Sequence, residues 1–188
     1  MRSAPSTTSK IKYMTLTGLM SAIICIMAPF SIILPISPVP ISLGTLAIYF
    51  VIIVLGRKQG FLSILLYILL GLVGLPVFTG FTGGIGKLLG PTGGYIIGYL
   101  FMALVCGFFT DKWHGRFFPN FVGMLFGTAV CYGFGTLWLA YQSNLSISAA
   151  FTAAVLPFLP ADLCKVLIAW FVGCKVRKHL TRSGLVVY

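Results

Sequence analysis

A chain of 188 residues in which 59% are hydrophobic and only 8% charged falls far below the roughly 25% charged residues of an ordinary soluble domain. With a mean hydropathy of +1.05, and with apolar runs of helix-spanning length that lack the alternation of barrel strands, it reads as a helical integral membrane protein. The net charge of +11 does not point to nucleic acid, because the cations are scattered between apolar segments and not clustered on a polar face. The five cysteines, Cys25, Cys106, Cys131, Cys164 and Cys174, form no C-x-x-C pair and support neither a disulfide framework nor a zinc site.

Residues 1–13 are polar and carry Arg2, Lys10 and Lys12, and residues 14–33 are apolar. The run is longer than a signal h-region and has no small-residue cleavage site, so it is expected to remain as a first membrane helix. Within it, Gly18-x-x-x-Ala22 is a small-residue pair that lets another helix approach closely. Residues 34–40 hold Pro35, Pro38 and Pro40, which cannot continue a helix and predict a rigid, extended outer connection. A short second helix is expected over 41–55, ending at Gly56-Arg57-Lys58-Gln59-Gly60, and a third from Phe61 to about Leu75.

Residues 76–95 contain seven glycines and a single charge, Lys87. The stretch is too apolar for a disordered linker and too glycine-rich for a helix, so it is expected to be a binding loop whose backbone approaches a ligand closely. It has no G-x-x-x-x-G-K-[ST], which removes the phosphate-loop reading. A fourth helix is predicted over 93–109 and a fifth over about 117–141, the latter with the close-packing pair Gly123-x-x-x-Gly127. Residues 149–159 read as a short outer helix. The last helix is expected from about Ala161 past Cys174, followed by a basic tail.

The expected fold is therefore an all-α membrane protein with six transmembrane helices in one compact bundle. Residues 14–178 form the membrane domain, 1–13 a cytoplasmic segment and 179–188 a cytoplasmic tail. With both termini cytoplasmic, eleven of the thirteen cations fall on the inner side, as the positive-inside bias requires. The two exceptions are Lys87 and Lys165. Both lie in the outer half with Asp162, one of only two acids in the chain. An intramembrane ionisable pair at i,i+3 is a functional-site hypothesis by default; the rival reading is a structural staple.

Around Asp162 and Lys165 the sequence places the glycine loop, with Thr79, Gly80, Gly83, Gly84, Gly90 and Gly93, and the aromatics Phe78, Tyr95, Trp138 and Tyr141. Apolar walls with a few convergent polar groups outline a ligand pocket. Its carboxylate accepts from N–H donors and a lysine pairs with an anion, so a small guest with an N–H donor, a carboxylate and an apolar body fits. The histidines, His114 and His179, stand beside other cations at the inner side and form no metal or catalytic cluster.

In this order, Pro35-x-x-Pro-Val-Pro-Ile41, Gly74-Leu-Pro-Val-Phe78, Gly90-Pro-Thr-Gly-Gly-Tyr95, Gly135-Thr-x-Trp138 and Leu159-Pro-x-Asp-x-x-Lys165 resemble the BioY family, the biotin-binding S components of energy-coupling-factor transporters. The resemblance spans Tyr13 to Lys178. It implies a six-helix bundle in the bacterial cell membrane that binds biotin on its outer side and needs no cofactor. The ureido ring would donate to Asp162, and either Lys165 or Lys87 would face the valerate carboxylate. Gly44 stands where many relatives carry glutamine. The chain has no ATPase motif, so the resemblance implies a membrane coupling protein, docked at Gly18 and Ala22, and two ATP-binding-cassette subunits. The alternatives are an S component for another small vitamin, a membrane-embedded enzyme using Asp162, and a channel or proton-coupled carrier.

Overall fold

The computed structural model describes residues 7–32, 39–113 and 116–185. They form seven helices and one two-stranded ribbon: α1 (Thr7–Met27), β1 (Ser31–Ile32), β2 (Ile41–Ser42), α2 (Gly44–Leu72), α3 (Ile85–Leu89), α4 (Gly93–Lys112), α5 (Phe117–Ser143), α6 (Ile147–Ala154) and α7 (Leu159–Arg182). Among these residues α1, α2, α4 and α5 are each long and apolar enough to cross a membrane, and α6 with α7 makes a fifth candidate as a pair bent by 53°. The chain is a multi-pass membrane protein.

The first helix begins at Thr7 and stops at Met27, not over 14–33 as the apolar run suggests. Its start reaches into the polar segment, and its end is set by Pro29 and by the turn into β1. β1 pairs antiparallel with β2, Ser31 opposite Ser42 and Ile32 opposite Ile41, which closes the two ends of the proline-rich connection on each other. Pro35 and Pro38 lie outside the described residues.

The segment expected as two helices with a five-residue break is interrupted at one residue. Gly56 has φ 77 and ψ −165, a conformation that suits glycine. It divides α2 into 44–55 and 57–72, about 18 and 24 Å long at helical rise. The second half folds back on the first: a Cβ built on Gly60 would lie 3.3 Å from Ile52 Cα. Two other helices hold the break. The Asp111 carboxylate of α4 accepts from the Arg57 N–H at 3.0 Å, and Arg177 of α7 donates to the Ile53 carbonyl at 2.8 Å. Arg177 also lies 3.6 Å from Asp111. The sequence had counted Arg177 only as a topological cation; the fold buries it and uses it as a strut.

Helices α4 and α5 pack through small residues, which allow close backbone approach. Gly94 and Gly98 of α4 meet Trp138 and Cys131, while Gly123 and Gly127 of α5 meet Phe109 and Cys106. The last helix starts at Leu159, two residues before its expected start, with proline in its first turn, where a missing N–H is harmless. The stretch 149–159 is helical only in part, since α6 occupies Ile147–Ala154 and is capped by the Ser146 hydroxyl. The glycine stretch also departs from expectation, because Ile85–Leu89 within it forms a single turn of helix.

Gly135 sits against the Tyr95 ring, its virtual Cβ 2.2 Å from Tyr95 Cε1, whereas Gly133 faces open space. Gly135→Ala is therefore expected to lower stability by about 1–3 kcal/mol, and Gly133→Ala to change it by no more than about 0.5 kcal/mol. Thermal unfolding in detergent checks both.

Candidate functional site

A polar-headed cavity lies among the first half of α2, α4, α5 and α7. Its empty space, counted through the mouth, is about 630 Å³. α2 contributes Thr45 and Tyr49, α4 Tyr95, Tyr99 and Met102, α5 Thr128, Cys131 and Tyr132, and α7 Asp162 and Lys165. Val39, Pro40, Ser42, Thr79 and Thr92 from the outer connections, with Ala154 and Phe158 before α7, also line it.

The local sequence explains the head of the cavity. Phe158 caps α7, its carbonyl accepting from the Asp162 N–H at 2.8 Å. Asp162 thus stands in the first turn, where the helix dipole favours an anion. Lys165 follows on the same face. The carboxylate and ammonium meet at 2.8 Å and both residues are buried. Each has a further partner: Tyr132 donates to the other Asp162 oxygen at 2.6 Å, and Lys165 donates to the Thr45 hydroxyl at 2.9 Å. Thr45 in turn donates to the Ser42 carbonyl at 3.2 Å. About one turn along α2 from Thr45 and along α5 from Tyr132, Tyr49 and Thr128 share a short hydrogen bond, and Tyr95 donates to the Ala154 carbonyl at 3.2 Å.

Of the residues singled out in the sequence, Asp162, Lys165, Thr79 and Tyr95 line this cavity. The others serve the loop or lie outside. Trp138 donates to the Gly90 carbonyl at 2.9 Å and so ties the end of the glycine loop to α5. Gly93 passes so close to Leu88 that a Cβ would meet its carbonyl oxygen at 1.7 Å, and one on Gly83 would meet the Leu75 carbonyl oxygen at 2.3 Å. Gly84 donates to the Gly71 carbonyl at 2.7 Å and Gly80 to the Pro29 carbonyl at 2.9 Å, so both pin the loop to the ends of α2 and α1. Phe78 fills the core against Tyr67. Tyr141 is 80% exposed and away from the cavity. Lys87, in α3, does not line the cavity either; half-burial alone lowers the pKa of its ammonium. Gly44 packs on Ala28, where a Cβ would sit 2.9 Å from the alanine methyl.

Tyr132, Thr45, Tyr49, Tyr99, Thr128 and Thr92 were missed in the sequence. The available signal was hydroxyls inside apolar runs, since a buried tyrosine O–H needs a partner. Thr92 has none: its buried hydroxyl makes no hydrogen bond among the described residues, yet it belongs to the cavity wall. Gly18 and Ala22 lie on an exposed face of α1, and nothing lies within 4 Å of a Cβ built on Gly18.

Such an arrangement, a small cavity with an ion pair at its head inside a helical membrane bundle, defines a ligand-capturing membrane protein. The BioY family model matches residues 1–182. The chain is 34% identical over 176 residues to a protein named biotin transporter BioY2 from Lactococcus lactis subsp. cremoris, with 94% of this chain and 96% of that one covered. It is 41% identical over 163 residues to a probable biotin transporter BioY from Pyrococcus horikoshii, covering 85% and 93%. Its fold matches the crystal structure of the S-component for biotin from an ECF-type ABC transporter with a TM-score of 0.86, at 33% identity over 93% of this chain and 95% of the other. The chain belongs to the BioY family.

Removing one member of a buried, hydrogen-bonded ion pair strands the other charge, which costs about 3–5 kcal/mol. Lys165→Met is expected to lose about that much stability. Asp162→Asn with Lys165→Met together should recover most of it. A double variant as unstable as the single one in chemical unfolding would show that the pair is not energetically closed on itself.

Proposed function

We propose that this chain is the substrate-capture subunit of an ECF-type importer in the bacterial cell membrane and that its ligand is biotin. The Asp162–Lys165 pair carries the reading. A pair of opposite charges 2.8 Å apart is matched by a neutral group that offers an N–H donor beside a carbonyl acceptor. A cyclic urea does so: its N–H donates to Asp162 while its oxygen accepts from Lys165, and the apolar bicyclic body lies against Met102, Phe158 and the tyrosine rings.

Neither lysine is then the partner of the valerate carboxylate. The three N–H donors of Lys165 go to Asp162, Thr45 and the urea oxygen, and Lys87 lies off the cavity wall. The Thr92 hydroxyl is an unspent buried donor in the wall and receives the carboxylate.

The membrane is crossed six times, by α1, the two halves of α2, α4, α5 and α7, with both termini cytoplasmic. The fold-back at Gly56 supports two crossings within α2, and the distribution of cations supports the orientation. The chain contains no nucleotide-binding motif. Energy for release comes from a membrane coupling protein, seated on the exposed Gly18 and Ala22 face of α1, and from two ATP-binding-cassette subunits.

Equilibrium binding to the purified chain in detergent, without partners, tests this reading. Biotin should bind tightly, and thiamine and riboflavin should not; equal or absent binding of all three would overturn it. Asp162→Asn removes a charge-assisted hydrogen bond, of order 1.5–3 kcal/mol, so biotin affinity should fall about 10- to 150-fold. Thr92→Val should weaken biotin more than biotin amide, and Lys87→Ala should leave affinity within about threefold, less than one lost hydrogen bond.

A further inference from the structure

A second recess lies at the far end of the bundle from the cavity, beside the break in α2. Arg57, Lys58, Phe61 and Leu62 of α2 form it with Leu104 and Asp111 of α4. We propose that it binds one anionic phospholipid of the inner leaflet, with the phosphate on Arg57 and Lys58 and an acyl chain along Phe61, Leu62 and Leu104. The leaflet follows from the orientation proposed above.

Charge is the first argument. The break at Gly56 turns the side chains of Arg57 and Lys58 outward, and both are exposed. Neither the guanidinium nor the ammonium has a partner among the described residues. Asp111, the acid of the recess, does not neutralise them with its side chain: one oxygen accepts from the Arg57 backbone N–H and the other faces Arg177. Two cations are therefore left to an anion.

Depth is the second. Asp111 is followed directly by Lys112 and Trp113, with the Lys112 ammonium 4.8 Å from the indole centroid and Trp113 stacked on Phe109 at 5.0 Å. Tryptophan with lysine marks the level where headgroups meet the acyl region. The recess opens at that level, so a phosphate held by Arg57 and Lys58 sits at headgroup depth. Its other wall is apolar, with Leu62 40% exposed and Phe61 and Leu104 half-buried. A free anion would make no use of that wall, whereas a lipid uses both ends. Basic recesses between membrane helices at the cytoplasmic side recur as sites for anionic headgroups.

Native mass spectrometry of the full-length chain from micelles with equal phosphatidylglycerol and phosphatidylcholine tests the site, with biotin binding measured on each sample. The wild type should retain one phosphatidylglycerol in preference to phosphatidylcholine. Arg57→Gln with Lys58→Gln should lose about tenfold or more of that preference. Leu62→Trp, which fills the recess without changing charge, should lose it as well. Lys175→Gln with Lys178→Gln, the same charge change on exposed residues of α7, should keep it.

Absence of preference in the wild type overturns the proposal. So does an equal loss in the α7 variant, which would show diffuse surface charge, or displacement of the lipid by inorganic phosphate alone. All variants should bind biotin as the wild type does. Retained lipid in a chain that fails to bind biotin would instead count against the importer reading and leave the lipid site standing.

Discussion

A carboxylate and an ammonium buried together 2.8 Å apart impose conditions on everything around them. Such a pair is stable inside a bilayer only if its remaining lone pairs and protons are met. Tyr132 and Thr45 meet them from two other helices. For that to happen α5, α7 and the first half of α2 must converge at one point. The small residues on α4 and α5, the turn at Gly56 and the bend between α6 and α7 are the devices that bring them there. The cavity is the space these helices leave between them. The charges at the head of that cavity balance each other.

The two acids of the chain perform parallel tasks at different places. Asp162 orders the ligand cavity, while Asp111 orders the break in α2, accepting from the Arg57 N–H and facing Arg177. Arg177 in turn caps the carbonyl end of the first half of α2 through Ile53. A helix cut in mid-course leaves orphan donors on one side and orphan acceptors on the other. An ion pair drawn from α4 and α7 supplies both and binds three helices together. With no other acidic side chain in the sequence, neither acid has a substitute.

The outer loops show a division of labour that apolar composition conceals. The glycine stretch contributes Thr79, Thr92 and Tyr95 to the cavity, and its glycines mainly let the backbone lie on Leu75, Leu88 and the ends of α1 and α2. Trp138 fixes the end of this loop through Gly90. These residues shape the site without touching its interior.

Composition, hydropathy and the placement of cations between apolar runs were enough to define a helical membrane protein, the approximate course of its helices and the anomaly of Asp162 and Lys165. Those features are local: a span is a run of consecutive residues, and an i,i+3 pair on a helix meets whatever the fold. The resemblance carried by Gly90-Pro-Thr-Gly-Gly-Tyr95 and the Pro160-x-Asp162 element also lay in the sequence, and the family match bears it out. Element ends were less legible, because α1 begins at Thr7 within the polar segment and α7 begins at Leu159 with proline in its first turn, neither of which hydropathy registers. Only the tertiary structure could show that Tyr132, thirty positions from Asp162, and Thr45, a hundred and twenty from Lys165, complete the pair. It also moved Lys87 and Tyr141 off the cavity wall and turned Arg177 inward. Which polar groups share a buried space depends on how helices cross, and crossing is fixed by the packing of small residues on distant segments, which no single stretch of sequence contains.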